Sequence, residues 1–379
     1  MTNRMVNGTG AALLALSGAA EAAYQWNLPT PVTRVAGEIY NLHLVMMGII
    51  LVIFIGVFGV MFYSIYAHRK SVGHKAENFH ENITVEIIWA IIPFLILIAV
   101  AWPATKSILN LKDTASPDIT IKATGYQWKW GYDYLKGEGE GISFLSNLST
   151  PQDQITGNAP KGEHYLLEVD NPVVVPLGKK VRVLLTSNDV IHAWMVPAFG
   201  VKQDAIPGFV RDTWFRAEKV GIYRGQCAEL CGKDHGFMPV VVEAIPEDKY
   251  KLWLAEQRVK NAAATAAASS AADKTYTLAE LNSEGEKVYS RSCVACHQAK
   301  GQGVPGAFPA LTHGPVTTGP IAGHVDIVLN GSKKNPAMAA WKGQLSDLEI
   351  AAVITYERNA LGNALGDMAQ PGDIAMARK

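Results

Sequence analysis

Two long uncharged runs stand near the start of the chain. Residues 44–66 are 23 positions without a charge, and residues 87–105 are 19 more. Each is long enough to cross a hydrocarbon core, which takes about 20 residues of helix. Either run alone reads equally well as a buried core helix. Two of them joined by a short charged loop predict a transmembrane hairpin, with spans over about 44–66 and 84–106. The period then changes from helical to two. Between residue 117 and about residue 246, Ile119-Thr-Ile121-Lys-Ala123 alternates, and so does Tyr165-Leu-Leu-Glu-Val169. Short β-rich runs at 173–175, 181–185 and 240–242 are bounded by Gly, Pro, Asn and Asp. Many short strands punctuated in this way predict an all-β Greek-key sandwich. Residues 250–260 read as a short helix. Residues 262–272 hold eight alanines with Thr and Ser, a linker that can be partly helical because Ala is the best helix former. The remainder is predicted all-α, with a helix over 278–289. A second helix opens on the capping box Ser346-Asp-Leu-Glu349 and runs to about residue 361.

Composition adds boundaries. At 379 residues the chain has room for two or three domains. With 34 basic and 34 acidic residues the net charge is zero, and no basic patch suggests nucleic acid. Residues 1–23 have the form of a secretory signal peptide, with Arg4, an apolar stretch over 11–20 and the small-x-small site Ala20-Glu21-Ala22. The loop between the apolar runs carries Arg69, Lys70 and Lys75, which places it weakly on the cytoplasmic side. Arg34, Lys106 and Lys112 on the other flanks keep that vote open.

Candidate chemistry concentrates in one twelve-residue stretch, Cys227-Ala-Glu-Leu-Cys231-Gly-Lys-Asp-His235-Gly-Phe-Met238. Thiolate and thioether select copper, zinc or iron–sulfur, and imidazole suits copper and zinc. The thioether argues against zinc, whose ligands are Cys, His and carboxylate. One Cys, two His and an axial Met make a mononuclear copper centre; a second thiol four residues after the first allows two thiolates to bridge two metals. The second imidazole is available at His192, just after the apolar run 181–185.

Downstream, Cys293-Val294-Ala295-Cys296-His297 is the C-x-x-C-H attachment motif of a c-type haem, in which two thioethers hold the porphyrin and His297 ligates iron. Alone, C-x-x-C also fits a redox or zinc pair. A sixth ligand that gives a high potential is a Met. Met338 precedes the last predicted helix, and Met368, the rival, follows it. All four cysteines are thereby assigned to cofactors. Haem c is attached outside the bacterial cytoplasm, which puts both ends of the mature chain on the outer side. The remaining histidines, His43, His68, His74, His80, His164, His313 and His324, have no convincing metal spacing and read as surface or packing residues.

With the C-x-E-x-C-x-x-x-H-x-x-M loop and the upstream His on the page, the chain resembles subunit II of the haem–copper cytochrome c oxidases, of the bacterial class with a C-terminal cytochrome c fusion. The resemblance covers about residues 24–365. It implies a transmembrane hairpin over 24–112, a cupredoxin domain over 113–258, the Ala-rich linker over 259–275 and a cytochrome c domain over 276–379. It also implies the binuclear copper centre CuA, held by His192, Cys227, Cys231, His235, Met238 and the backbone carbonyl of Glu229. The Glu229 side chain would reach a magnesium ion at the border with subunit I. Pro309, twelve residues after His297, matches the Pro whose carbonyl orients the proximal imidazole. Trp128, in the aromatic stretch 126–132, matches the point at which electrons arrive from cytochrome c. The other reading of that stretch is plain packing. Glu86 matches an acid at the mouth of a proton channel into subunit I, although an acid at a membrane edge is also an ordinary interfacial anchor. Asp133 and Asp189 are candidates for an acidic docking face.

The implied role is electron transfer from cytochrome c through the Cys293–Cys296 haem and CuA to haem and CuB in subunit I, where dioxygen is reduced to water. The implied partners are subunit I, subunit III, a cytochrome c donor and membrane lipid, in the bacterial inner membrane. As a flexible coil the linker would span roughly 20 Å r.m.s. and hold the haem domain at an effective concentration on the order of millimolar. Other classes remain to be separated. A quinol-oxidase subunit lacks the copper ligands, and nitrous oxide reductase needs a second, His-rich cluster. A membrane-anchored copper-delivery protein leaves His235, Met238 and the haem motif unexplained.

Overall fold

The structure, a computed structural model, describes residues 27–378 apart from 74, 76–79, 307, 335–337 and 339; the expected signal peptide lies outside the described residues. Helix α1 (Arg34–Ala67) and helix α2 (Ile83–Lys112) form the hairpin. Both are long and apolar enough to cross a membrane, and their exposed faces are rows of Leu, Ile, Val and Phe, the pattern expected of helices solvated by lipid. Each has a side-chain cap on an otherwise orphaned backbone N–H: the Thr33 hydroxyl accepts from Ala36 N at 3.0 Å, and Asn82 Oδ1 accepts from Val85 N at 3.2 Å.

The β domain follows as β1 (Ile119–Tyr126), β2 (Lys129–Lys136), β3 (Ser143–Ser146), a single helical turn α3 (Gln152–Ile155), β4 (Val173–Pro176), β5 (Val181–Ser187), β6 (His192–Val196), β7 (Val201–Ala205), β8 (Arg211–Phe215), β9 (Gly221–Cys227) and β10 (Pro239–Ile245). The strands form two sheets, ordered β3-β2-β1-β5-β8 and β4-β10-β9-β6-β7. The β1–β5 and β10–β4 pairs are parallel and the other strand pairs antiparallel. Alternation places Ile121, Trp130, Val183, Trp194 and Val242 in the core between the sheets, where the Phe199 and Phe215 rings stack at 4.5 Å. Truncating such a fully buried Trp to Ala costs about 3–5 kcal/mol.

The alternating stretch Tyr165-Leu-Leu-Glu-Val169 is not a strand. Leu166 takes a left-handed φ of 60°, its N–H donates to Thr150 Oγ1, and Val169 makes only an isolated bridge to Leu148. Two adjacent leucines can satisfy a period of two only by breaking it, and a side-chain hydrogen bond holds the turn instead.

The β domain sits at the end of the hairpin where α1 begins and α2 ends. Thr33 Oγ1 donates to Phe199 O at 2.8 Å, Trp214 Nε1 donates to Asn110 O at 3.0 Å, and Lys180 Nζ pairs with Asp113 at 3.3 Å.

The stretch expected as a short helix followed by a linker is one helix, α4 (Glu247–Asp273). The alanine run that separates the domains in composition continues the helix, because nothing in it breaks the backbone ladder. The last region holds α5 (Leu278–Ser292), the single turn α6 (Val294–His297), α7 (Ile321–Asn330), α8 (Asp347–Asn359) and α9 (Pro371–Arg378). Helices α5 and α8 both open on reciprocal capping boxes, Thr277 with Glu280 and Ser346 with Glu349. They cross so closely that a Cβ at Gly285 would lie 2.1 Å from Ala352 O.

Candidate functional site

Strand β9 ends on Cys227, and the loop to β10 returns through Cys231, His235 and Met238. Trp194 on β6 is paired with Cys227, which brings the start of β6 and His192 beside the loop. A cluster of soft atoms results. The two Sγ atoms are 3.9 Å apart, Cys227 Sγ is 3.9 Å from His192 Nδ1, and Cys231 Sγ is 3.5 Å from His235 Nδ1 and 3.6 Å from Met238 Sδ. The Glu229 carbonyl oxygen lies 3.3 Å from Cys227 Sγ. Both cysteines are free thiols; 3.9 Å is nearly twice a disulfide bond. Imidazole, thiolate and thioether in this density match copper, so the donor set fits the binuclear group expected of it.

The electrostatics favour a thiolate. A hydrogen bond from Cys231 pulls the Cys227 thiol down to about 3, aided by His192, while the same contact pushes Cys231 up. Burial acts to lower His192, but the hydrogen bonds with Asp189 and Cys227 outweigh it and the net shift is upward.

His192 is fully buried and held from behind: Nε2 is 2.8 Å from Asp189 Oδ1, which leaves Nδ1 toward the sulfurs. A Cβ at Gly125 would lie 2.7 Å from His192 Cδ2, so only glycine lets β1 approach the ring this closely. Asp189, expected on an acidic docking face, is instead engaged in supporting the imidazole. Its side chain is 4 % exposed, and it accepts from Gln127 N and Val190 N, both at 2.7 Å, as well as bonding the imidazole. A short polar loop ending three residues before a candidate ligand was the one sequence signal for this role. Asp133 is partly exposed and paired with Lys122 at 2.8 Å.

The second site is a cavity lined by Cys293, Cys296, His297, Met338, Phe308 and Trp341. His297 Nδ1 is 3.0 Å from the Pro309 carbonyl. An N–H donated there leaves Nε2 as the nitrogen available to a metal. The predominantly apolar walls, with two thiols, a His and a Met among them, fit a covalently held haem.

The two sites adjoin. Gln127, Trp128 and Asp189 of the β domain line the haem-type cavity. Gln127 Nε2 and Trp128 Nε1 donate to the Cys231 carbonyl at 2.8 and 3.3 Å. Across the same contact, Asn188 Nδ2 donates to Ala340 O at 3.1 Å and Lys129 Nζ lies 5.4 Å from the Trp341 ring centre. Gln127 carried no signal in the sequence beyond its place beside the tryptophan.

Two expected side chains make other contacts. Glu86 lies in the first turn of α2, where Oε1 accepts from Asn82 N at 3.3 Å and completes the helix cap. The Glu229 side chain is about half exposed, with Lys202 Nζ 4.0 Å away.

Among known families, the chain matches the cytochrome c oxidase subunit II transmembrane domain over residues 21–106 and the periplasmic domain of the same subunit over 119–245. It matches cytochrome c oxidase, cbb3-type, subunit III over 280–356. It is 38% identical over 276 residues to cytochrome c oxidase subunit 2 of Cereibacter sphaeroides, covering 66% of this chain and 90% of that one. To the subunit 2 of Cyanidium caldarium it is 37% identical over 239 residues, covering 62% and 92%. The crystal structure of the periplasmic domain of subunit II (CoxB) of Bradyrhizobium japonicum is 45% identical with a TM-score of 0.34, covering 38% of this chain and 96% of that one.

Proposed function

The chain belongs to the cytochrome c oxidase subunit II family, and on that premise we propose that it is the electron-accepting subunit of a terminal haem–copper oxidase, with its own c-type haem domain seated on its copper-binding loop. It is a membrane-anchored protein with a periplasmic domain; the membrane is taken to be the bacterial inner membrane, with the haem domain on the outer side too. A subunit II copper domain implies CuA, and a cytochrome c domain implies haem c. When bound, these groups supply one-electron redox chemistry between a cytochrome c donor and subunit I, where dioxygen is reduced to water.

The observation that carries this reading is the shared wall between the two sites: Trp128 and Gln127 line the haem-type cavity and donate to the carbonyl of Cys231. His192, Cys227, Cys231, His235, Met238 and the Glu229 carbonyl would hold the copper pair. Cys293 and Cys296 would hold the porphyrin, with His297 and Met338 as axial ligands. Asp189 sets the tautomer and angle of His192, as Pro309 does for His297, and such second partners tune ligand basicity. The Trp128 indole lines the haem-type cavity on one side and donates to the Cys231 carbonyl on the other, so it stands between the two centres. On the same proposal, Glu86 would serve the proton path into subunit I and the Glu229 side chain would face a magnesium ion shared with it. Subunit III and lipid complete the partners.

Metal and optical analysis of the purified chain tests this. The expected result is two coppers and one covalently bound haem per chain, with a c-type α-band and mixed-valence copper absorption. Copper without the haem band would reduce the protein to a copper carrier and overturn the reading.

A further inference from the structure

The haem domain buries two ionisable side chains that the reading above leaves without a role. His324 on α7 is 2 % exposed, Glu357 on α8 is 4 % exposed, and His324 Nε2 lies 2.8 Å from Glu357 Oε2. Both line the cavity that contains Cys293, Cys296, His297 and Met338. The other ring nitrogen, His324 Nδ1, is buried without a hydrogen-bond partner. Nearly all buried polar atoms in folded proteins are paired. A carboxylate and a half-paired imidazole are costly in a wall built from Leu311, Val328, Leu345 and Val353.

Among the described residues, the neighbouring cation Arg358 is already engaged. Arg358 is bound to Asp367 and to the carbonyls of Thr317 and Gly319. The Arg358 hydrogen bond is the main reason Asp367 is held low, with a smaller contribution from His324. On α7 itself, Asp326 accepts from Asn330; on α9, Asp373 accepts from Gln370 N and Arg378 donates to Asp347. From α5, Tyr289 is pushed up by burial first and by Glu357 second. The Cys293 thiol is pushed up by burial and then by Glu357, with which it shares a hydrogen bond. That contact locates the pair. Cys293 is proposed as a porphyrin attachment point, so Glu357 would stand beside the bound haem in the same cavity.

We propose that the His324–Glu357 pair is a proton-exchanging site coupled to the oxidation state of the haem. When the haem takes one electron from its donor, the imidazole takes one proton from solvent at Nδ1, and the pair becomes imidazolium and carboxylate. When the electron moves on, that N–H bond breaks and the proton returns to solvent. The total charge of the cavity is the same before and after, which is the cheapest outcome where the dielectric is low.

The inference rests on the haem reading, and one set of measurements separates the two. The haem potential of the full chain is titrated against pH in the unmodified protein, in Glu357→Gln and in His324→Leu. The unmodified protein is expected to show a potential that falls as pH rises. Glu357→Gln removes a negative charge that favours the ferric form, so it raises the potential and flattens the pH dependence. His324→Leu flattens it as well. An intact c-type α-band reports that each variant is folded and loaded. Proton uptake on haem reduction, followed with an indicator dye in weakly buffered unmodified protein, reads the coupling without any variant. A loaded protein that takes up no proton, or variants that keep the unmodified pH profile, would falsify the inference. An unmodified chain that carries no covalent haem would instead remove the reading on which it stands.

Discussion

Cys231 is the residue on which the copper site turns. Its sulfur is within 3.9 Å of Cys227 Sγ, His235 Nδ1 and Met238 Sδ, so it touches donors that Cys227 alone cannot collect. A hydroxyl is a poor soft-metal bridge. Cys231→Ser is therefore expected to lose at least one of two coppers, leaving a mononuclear centre or none, while the serine fits the same space and the β core is retained. Electron paramagnetic resonance checks this, and an intact binuclear signal in the variant would refute the assignment. Asp189 makes a contrast at the same scale. An acid beside a candidate ligand reads as a surface charge until its contacts are known; three hydrogen bonds and burial turn it into a support for His192.

At the scale of elements, the contact between β2 and the loop before α8 has a built-in pH dependence. Lys129 begins β2 and lies over Trp341. Burial pulls it down to about 8 from the ordinary lysine value of 10.5, and Arg291 adds to the shift. The docked state thus binds fewer protons than a state in which Lys129 is solvated. Between pH of about 8 and 10.5, docking strengthens as pH rises; below about 8 both states hold the proton and the dependence vanishes. With the haem domain released by cleavage in α4, its dissociation constant is expected to fall by as much as about tenfold per pH unit in that window. Lys129→Met is expected to bind more tightly at pH 7 and to lose the slope. Titration calorimetry at several pH values checks both.

For the molecule as a whole, α4 changes how the two redox domains are joined. Its 27 residues make a rod about 40 Å long, not a coil that lets the haem domain search for its target. The Trp128, Asn188 and Lys129 contacts hold the two sites together. Electron transfer following flash reduction of the haem is therefore expected to be unimolecular in the intact chain. After a protease site placed at Ser269-Ser270 is cut, the rate is expected to stay unchanged until dilution reaches the dissociation constant of the released domain. A step that becomes second-order immediately after cutting, at high protein concentration, would return the tether to the role of a flexible leash.

Much of this architecture was legible in the chain because it is encoded by local spacing. Apolar run length marks the hairpin, alternation marks β1, short β-rich runs between turn residues mark β4, β5 and β10, and the capping boxes mark the starts of α5 and α8. Cys227, Cys231, His235 and Met238 lie in one loop, as do Cys293, Cys296 and His297, so spacing alone reveals which donors can meet. Tertiary structure decided the rest. Alternation could not distinguish a strand from the turn at Leu166, because the hydrogen bond its N–H donates to Thr150, sixteen residues away, decides it. Composition could not say whether the alanine run bends, since helix and coil are close in free energy until packing chooses. His324 and Glu357 are 33 residues apart on separate helices, and Trp128 and Cys231 are 103 apart on separate loops. Their pairing follows from how helices cross and sheets stack, and no local pattern in the chain carries that information.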